Sequence, residues 1–253
     1  MFGTIQWKFK EHSDLVGFGV NHSLIMDFVS RNYRKSYYEN WIKISFNIAK
    51  LEGFKFSENT PPGALREIFT DSIYDIKEFT PERDQVVIDV GANYGDSSIW
   101  WSKKFGARVI AFEPLKNVFN VLEENIKLND VDVTAYNLAL GNGEEINGSS
   151  DGNMLSAGGE IKMKAEKLDN YSFERVDILK IDVEGFEHDV LLGAERTIKR
   201  FKPKIIIETH SKDLRKKCHE FLTFLGYSLK VEGRTLTSKA PGMDKVTNLF
   251  YSV

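Results

Sequence analysis

Four side chains in this sequence are of the types that move protons, and they come in two pairs. Asp182 and Glu184 lie in KIDVEGFE, and Glu208 and His210 lie in IIIETH. Each pair follows a run of branched apolar residues, so each falls where a strand ends and the chain bends. A hydroxyl is a poor nucleophile, and a neutral imidazole near pH 7 is well matched to take its proton. His210 is therefore the expected base, Asp182 the group that positions cofactor or acceptor, and Glu184 a second acidic contact. The competing structural reading has Asp182 and Glu184 capping a helix that starts near Glu187, with His210 an ordinary loop histidine. Two acids and a histidine also suit a hard divalent ion. The KIDVEG spacing does not demand one, and no metal ligand set is assigned.

A second chemical signal is VVIDVGANYGDSSIWW at 86–101. A strand, a glycine bend and a helix start are how a parallel α/β sheet holds a nucleotide-like ligand. The dinucleotide fingerprint G-x-G-x-x-G needs glycines where this chain has Gly91, Asn93 and Asp96. Asp96 puts a negative charge where phosphates would sit at the helix N-terminus, so a phosphate-rich cofactor is disfavoured. A nucleoside without phosphate escapes that objection. S-adenosylmethionine carries an ammonium that Asp89 and Asp96 could hydrogen-bond, directly or through water, while Gly91 and Gly95 leave room for its methionine part. The next strand ends in VIAFEP, where Glu113 can accept from both ribose hydroxyls. Taken singly, Gly91 and Gly95 could merely shape a tight turn and Glu113 could cap a helix; strand, bend and acid together favour a ligand.

The elements that must position these groups are legible as a rhythm of strand and helix from Gln85 onward. QVVIDV, ARVIAF, DVTAY, VDILKID and KIIIE read as strands, and YSLKVEG and VTNLFYSV as a last pair without a helix between them. Helices are expected over Asp96 to Phe105, LKNVFNVLEENIKLN, HDVLLGAERTIKRF and LRKKCHEFLTFLG, with a Gly/Ser/Asn-rich loop over 141–159. Near-continuous Val and Ile runs require cover on both faces. The expectation is a seven-stranded doubly wound α/β sheet, its last strand antiparallel. Residues 1–75 are aromatic-rich and helical in pattern, with Leu24, Phe28 and Val29 at helical spacing and Gly53 as a helix stop. They are expected to form a cap ahead of a core at 76–253, set apart by the loop SENTPPG at 57–63.

The motifs D-V-G-A-N-Y-G-D (89–96), F-E-P (112–114), L-K-I-D-V-E-G-F-E (179–187), L-L-G-A (191–194) and K-P-K-I-I-I-E-T-H (202–210), in this order, resemble the FkbM family of S-adenosylmethionine-dependent methyltransferases. REIFTDSIYDI (66–76) resembles the segment leading into that domain, and nothing before Arg66 is matched. The resemblance implies a class I methyltransferase fold and methyl transfer, usually to a hydroxyl oxygen of a natural product or sugar. It also implies an adenine slot after the third strand, where AYNLALGN supplies Asn137, Leu138 and Ala139. A structural turn is the alternative there.

The totals exclude several other classes. The 253 residues, 42% hydrophobic, suffice for one large α/β domain with an appendage, and a net charge of -3 gives no global basic field for nucleic acid. One cysteine, Cys218, rules out an intramolecular disulfide framework and reads as packing. No apolar stretch approaches a membrane span and no signal core opens the chain, so a soluble, cytoplasmic protein is expected. Lys180 reads as a snorkelling or ion-paired residue near Asp177, Tyr94 as packing rather than a sulfonium contact, and RNYRKSYYENWIK (31–43) as a solvated helix face. The rival functions are a nucleotide-dependent oxidoreductase, a methyltransferase-like domain that binds ligand or partner without turnover, and an RNA or protein methyltransferase.

Overall fold

Apolar strands need helices on both faces, and the computed structural model supplies them. It describes residues 44–236 and 246–253. The helical pattern before 44, the basic-aromatic stretch 31–43 and the turn-rich segment 237–245 lie outside the described residues. In chain order the strands are β1 (Val86–Val90), β2 (Arg108–Phe112), β3 (Val133–Tyr136), β4 (Ala139–Leu140), β5 (Glu145–Ser150), β6 (Leu155–Ala157), β7 (Ile161–Glu166), β8 (Ile178–Ile181), β9 (Lys204–Thr209), β10 (Ser228–Leu236) and β11 (Val246–Ser252). The helices that matter below are α1 (Asp96–Phe105), α2 (Lys116–Asn129), α3 (Glu187–Gly193), α4 (Glu195–Phe201) and α5 (Lys212–Phe224). Among the described residues no helix is long and apolar enough to cross a membrane.

The main sheet has seven strands in the order β10-β11-β9-β8-β1-β2-β3. β11 runs antiparallel to both its neighbours, and the other pairs are parallel. This is the expected doubly wound class I architecture. β1 and β8 are buried along their whole length, with Ile88, Ile178, Leu179 and Ile181 fully buried in or beside the core. The chain winds outward through β2 and β3, then returns to β8 on the opposite side of β1. The strand order therefore reverses between β1 and β8, and a ligand crevice opens at their carboxyl ends.

Two expectations need correction. The stretch 141–159 is not an open loop: β4, β7, β5 and β6 form a second, four-stranded sheet. β5 alternates exposed and buried, with Ile146 inward, and Leu155 and Ala165 join it in a small apolar cluster. Glu145, Asn147 and Ser149 on the outward positions, with Gly148 as the second inward residue, hide that alternation from a hydropathy reading. HDVLLGAERTIKRF is two helices, α3 and α4, broken at Ala194. SENTPPG runs as a loop into a short 3-10 turn, and it is tied to α2. Asn125 of α2 accepts from Ser57 N at 2.7 Å and donates to Thr60 Oγ1 and to Tyr94 O at 2.9 Å each, while Asn129 accepts from Lys55 N at 2.9 Å. Residues from Ser45 onward form one compact unit. Within it Phe54 packs edge-on against Phe69 and Tyr74 lies against Trp101.

Gly193 ends α3 where the second sheet meets the first. A Cβ there would stand 1.8 Å from the Gly141 carbonyl oxygen, so the backbones touch only because this residue has no side chain. Gly193→Ala is expected to lower the unfolding free energy by about 2–3 kcal/mol. Chemical denaturation checks this, and an unchanged midpoint with unchanged slope would show that the contact relaxes freely.

Candidate active site

The bend after β1 is fixed by backbone before any side chain acts. Gly91 N and Ala92 N both donate to Phe112 O at 3.0 Å, tying the bend to the end of β2. Gly91 has φ +77, and a Cβ on it would lie 1.8 Å from Asp182 O. Only glycine lets the two strand ends approach so closely. Asn93, also at positive φ (47), donates its N–H to Glu113 Oε2 at 3.0 Å, and Leu115 N donates to Glu113 Oε1 at 2.8 Å. Glu113 is thus aimed by two backbone donors, each of its oxygens keeping a further lone pair. Burial pushes its carboxyl up to about 7, against the pull of those two hydrogen bonds.

Gly91, Asn93, Glu113, Leu138 and Ala139 line one cleft of about 620 Å³, its open mouth included. Asp182 and Glu184 line the same cleft, so the two chemical signals of the sequence meet in space. Asn153, Met154 and Leu155 of the second sheet, with Ile146, complete a roof that sequence reasoning placed in a codeless loop. Tyr94 packs under that roof and donates its hydroxyl to Asn153 Oδ1 at 2.8 Å.

Other expected ligand contacts serve the frame instead. Asp89 is fully buried, accepting from Ser97 Oγ at 2.7 Å and Ser98 Oγ at 2.6 Å and pairing with Lys180 Nζ at 3.1 Å. That burial and those partners place Asp89 in the frame behind the bend. Gly95 N-caps α1, and Asp96 follows in the first turn, where burial pushes its carboxyl up to about 8. Neither lines the cleft. Asn137 donates to Glu113 O at 2.9 Å and Pro114 O at 3.0 Å, clamping the loop that carries Glu113.

Lys180 is ion-paired as expected, with nearby acids other than Asp177. Its Nζ meets Asp89 at 3.1 Å and Asp182 at 3.6 Å and donates to Gly91 O at 2.9 Å. Asp177 is occupied elsewhere, accepting from Val86 N at 2.8 Å. Burial opposes the Lys180 charge, yet Asp89, Asp182 and Asp96 outweigh it and hold its pKa above the ordinary value. Cys218 is core packing, burial raising its thiol to about 12.

His210 sits behind the cleft wall, among acids. Its Nδ1 lies 2.7 Å from Glu187 Oε1, and its Nε2 lies 3.3 Å from Glu184 Oε2 and 3.8 Å from both Asp182 Oδ1 and Glu208 Oε1. Burial disfavours the imidazolium, but hydrogen bonds to Glu184 and Glu187 and the charges of Glu187 and Asp182 together raise its pKa to about 12. A neutral imidazole poised near pH 7 is therefore not what this surround produces. Glu187, which sequence reasoning placed only as a helix start, is the missed partner. Glu184 is held at positive φ (50), a backbone state uncommon for glutamate. Its carbonyl accepts from Ala157 N at 2.9 Å, linking the roof to this bend.

Residues 89–229 match the model of the Methyltransferase FkbM domain. The chain is 27% identical over 206 residues to methyltransferase sdnD of Sordaria araneosa, covering 63% of this chain and 79% of that protein. It is 29% identical over 144 residues to the hexuronic acid methyltransferase AglP of Haloferax volcanii, covering 51% of this chain and 58% of that protein. A solved transferase structure from Pyrococcus horikoshii superposes with a TM-score of 0.50 at 19% identity, over 79% of this chain and 66% of that one, a likeness of fold alone.

The raised carboxyls have a thermodynamic signature. Glu113 at about 7 and Asp96 at about 8 both bind protons more tightly folded than unfolded, where their ordinary values are 4.5 and 3.8. Their contribution is complete below the unfolded values and is lost as pH rises through the folded ones. The melting temperature of the ligand-free chain is expected to fall between pH 5 and 8, and Glu113→Gln to flatten that slope. Calorimetric scans across the range test it; a melting temperature that climbs with pH contradicts it.

Proposed function

The chain belongs to the FkbM family of methyltransferases, and from that premise we propose that it transfers the methyl group of S-adenosylmethionine to a hydroxyl oxygen of a small-molecule, sugar or glycan acceptor. The observation that carries this reading is that Glu113 and the pair Asp182 and Glu184 line one cleft at the strand-order reversal. A sugar acceptor draws support from AglP, whose name makes it a hexuronic acid methyltransferase.

The cleft fits the proposed cofactor. When bound, S-adenosylmethionine supplies an activated methyl group on a sulfonium. Glu113 offers two free lone pairs for the ribose hydroxyls. Asn93 Oδ1 is buried without a hydrogen-bond partner among the described residues, an acceptor suited to the ammonium of the methionine part. Leu138 and Ala139 give the apolar surface an adenine ring needs. Asn93 stands where a diphosphate cradle needs its second glycine.

Methyl transfer needs the acceptor oxygen in line with the methyl and sulfur, so positioning supplies much of the acceleration. Asp182 and Glu184 are the titratable groups of the acid cluster that face the cleft, and in this reading they orient the acceptor hydroxyl and take its proton. His210, reached through them, holds both carboxylates in place from behind the wall.

Two measurements test this. Glu113→Ala is expected to weaken binding of the cofactor or its demethylated product by about 10–100-fold, the worth of two hydrogen bonds to a charged group. Unchanged affinity by calorimetry would remove the ribose anchor. With methyl-labelled cofactor and a panel of hydroxyl acceptors, Asp182→Asn and Glu184→Gln are expected to cut turnover by about 10²–10⁴-fold. His210→Ala should slow turnover with cofactor affinity nearly intact, and wild-type rates in all three variants would sink the assignment.

A further inference from the structure

We infer that Asp182, Glu208 and His210, with Glu184 beside them, form a binding site for one divalent transition-metal ion. The donor atoms of the first three all lie within 4.8 Å of one another. From His210 Nε2 the nearest carboxylate oxygens are at 3.3, 3.8 and 3.8 Å. An ion with bonds of about 2.1 Å sets donor-to-donor edges of about 3.0–3.5 Å, so small side-chain rotations close the shell.

Two further observations point to a ligand rather than to a cluster of acids. Glu208 is 6% exposed; its Oε1 faces His210 Nε2 at 3.8 Å and Asn248 hydrogen-bonds its side chain, while its Oε2 has no hydrogen-bond partner among the described residues. A buried carboxylate oxygen left in that state is costly, and a cation relieves it. The second is the orientation of His210. Glu187, itself fully buried, holds Nδ1 at 2.7 Å and so directs Nε2 toward the three acids. A carboxylate on one ring nitrogen with the other turned to acidic donors is the supporting arrangement of histidine metal ligands.

Charge agrees with this. Asp182, Glu184, Glu187 and Glu208 surround one imidazole, and the nearest lysine, Lys180, is shared with Asp89. Glu67 adds a further carboxyl beside Asp182 and Glu208, and burial pushes it up to about 7 and Glu208 well above the ordinary carboxylate range. One imidazole with carboxylates and no thiolate suits Mn²⁺, Fe²⁺, Co²⁺ or Zn²⁺ rather than Ca²⁺. Asp182 and Glu184 also line the cleft, so an acceptor hydroxyl could complete the ion's shell and become more acidic there. That last role rests on the methyltransferase reading; the binding site does not.

The test uses the full chain stripped with chelator and titrated with MnCl₂, free Mn²⁺ being followed by electron paramagnetic resonance. The expected result is one saturable Mn²⁺ per chain. Its affinity should fall at least tenfold in Glu208→Gln and His210→Gln and about 10–100-fold in Glu187→Gln. It should be unchanged in Glu145→Gln, a surface acid paired with Lys162. Asp182→Asn, whose side chain is 22% exposed, serves if the buried variants do not fold. Neither Mn²⁺ nor Zn²⁺ bound at millimolar concentration, or binding undiminished in the site variants, overturns the inference. Calorimetry of S-adenosylhomocysteine on the stripped chain separates the two readings. Cofactor product bound without any metal site rejects the ion alone, whereas Mn²⁺ bound at these residues without cofactor product upholds the ion and rejects the methyl-donor cleft.

Discussion

The buried ion pair between Lys180 and Asp89 is the constraint on which the rest of the site depends. The two residues are register partners on adjacent parallel strands, β8 and β1, at 3.1 Å with almost no solvent. Lys180 also donates to Gly91 O at 2.9 Å and reaches Asp182 at 3.6 Å. One ammonium thus joins the bend that carries Gly91 and Asn93 to the strand end that carries Asp182, on two sides of one cleft. Removing one partner of such a pair typically costs about 3–5 kcal/mol, because the other charge is left buried. Ser97 and Ser98 complete the shell around Asp89 from the first turn of α1. The helix start, the bend and both strand ends are therefore one electrostatic unit.

How much of this was legible follows from which interactions are local. Val, Ile and Leu runs announce fully covered strands, and Gly91, Asn93 and Gly95 announce a bend whose positive backbone angles the structure bears out. Glu113 could be read from its place after β2. The partner of Lys180 could not, because Asp177 is nearer in sequence and only the register of β1 against β8 brings Asp89 opposite. His210 illustrates the same limit. Its own strand predicts a polar tip at the sheet edge, but its state is set by Glu187, which arrives from a different element. The roof escaped because Gly148, Ser149 and Ser150 carry β-structure without an apolar signature, and only Ile146 and Leu155 betray its inner face.

The site also departs from what stability alone would choose. Glu184 holds a left-handed backbone angle, and several carboxyls are buried with fewer donors than they have lone pairs. Such groups destabilise a ligand-free fold and are retained where a bound molecule or charge completes them. The surrounding core carries that cost through features with no chemical role: the full burial of Trp101, the edge contact of Phe79 on Phe250, and the asparagine clamps from α2 onto residues 55–60.

The pairing of β4 with β7 has a consequence for how such a protein can diversify. Ala139 faces Ala165 and Leu140 faces Glu166, so the chain leaves the main framework and rejoins it through a closed two-strand neck. The segment between those points meets the main framework at a few anchors: Tyr94 on Asn153, Glu184 on Ala157 and Gly193 on Gly141. With those anchors kept, its outward positions can be exchanged while the bend after β1 retains its ties to the end of β2. Reshaping that wall of the cleft then requires rewriting a tip rather than refolding a scaffold.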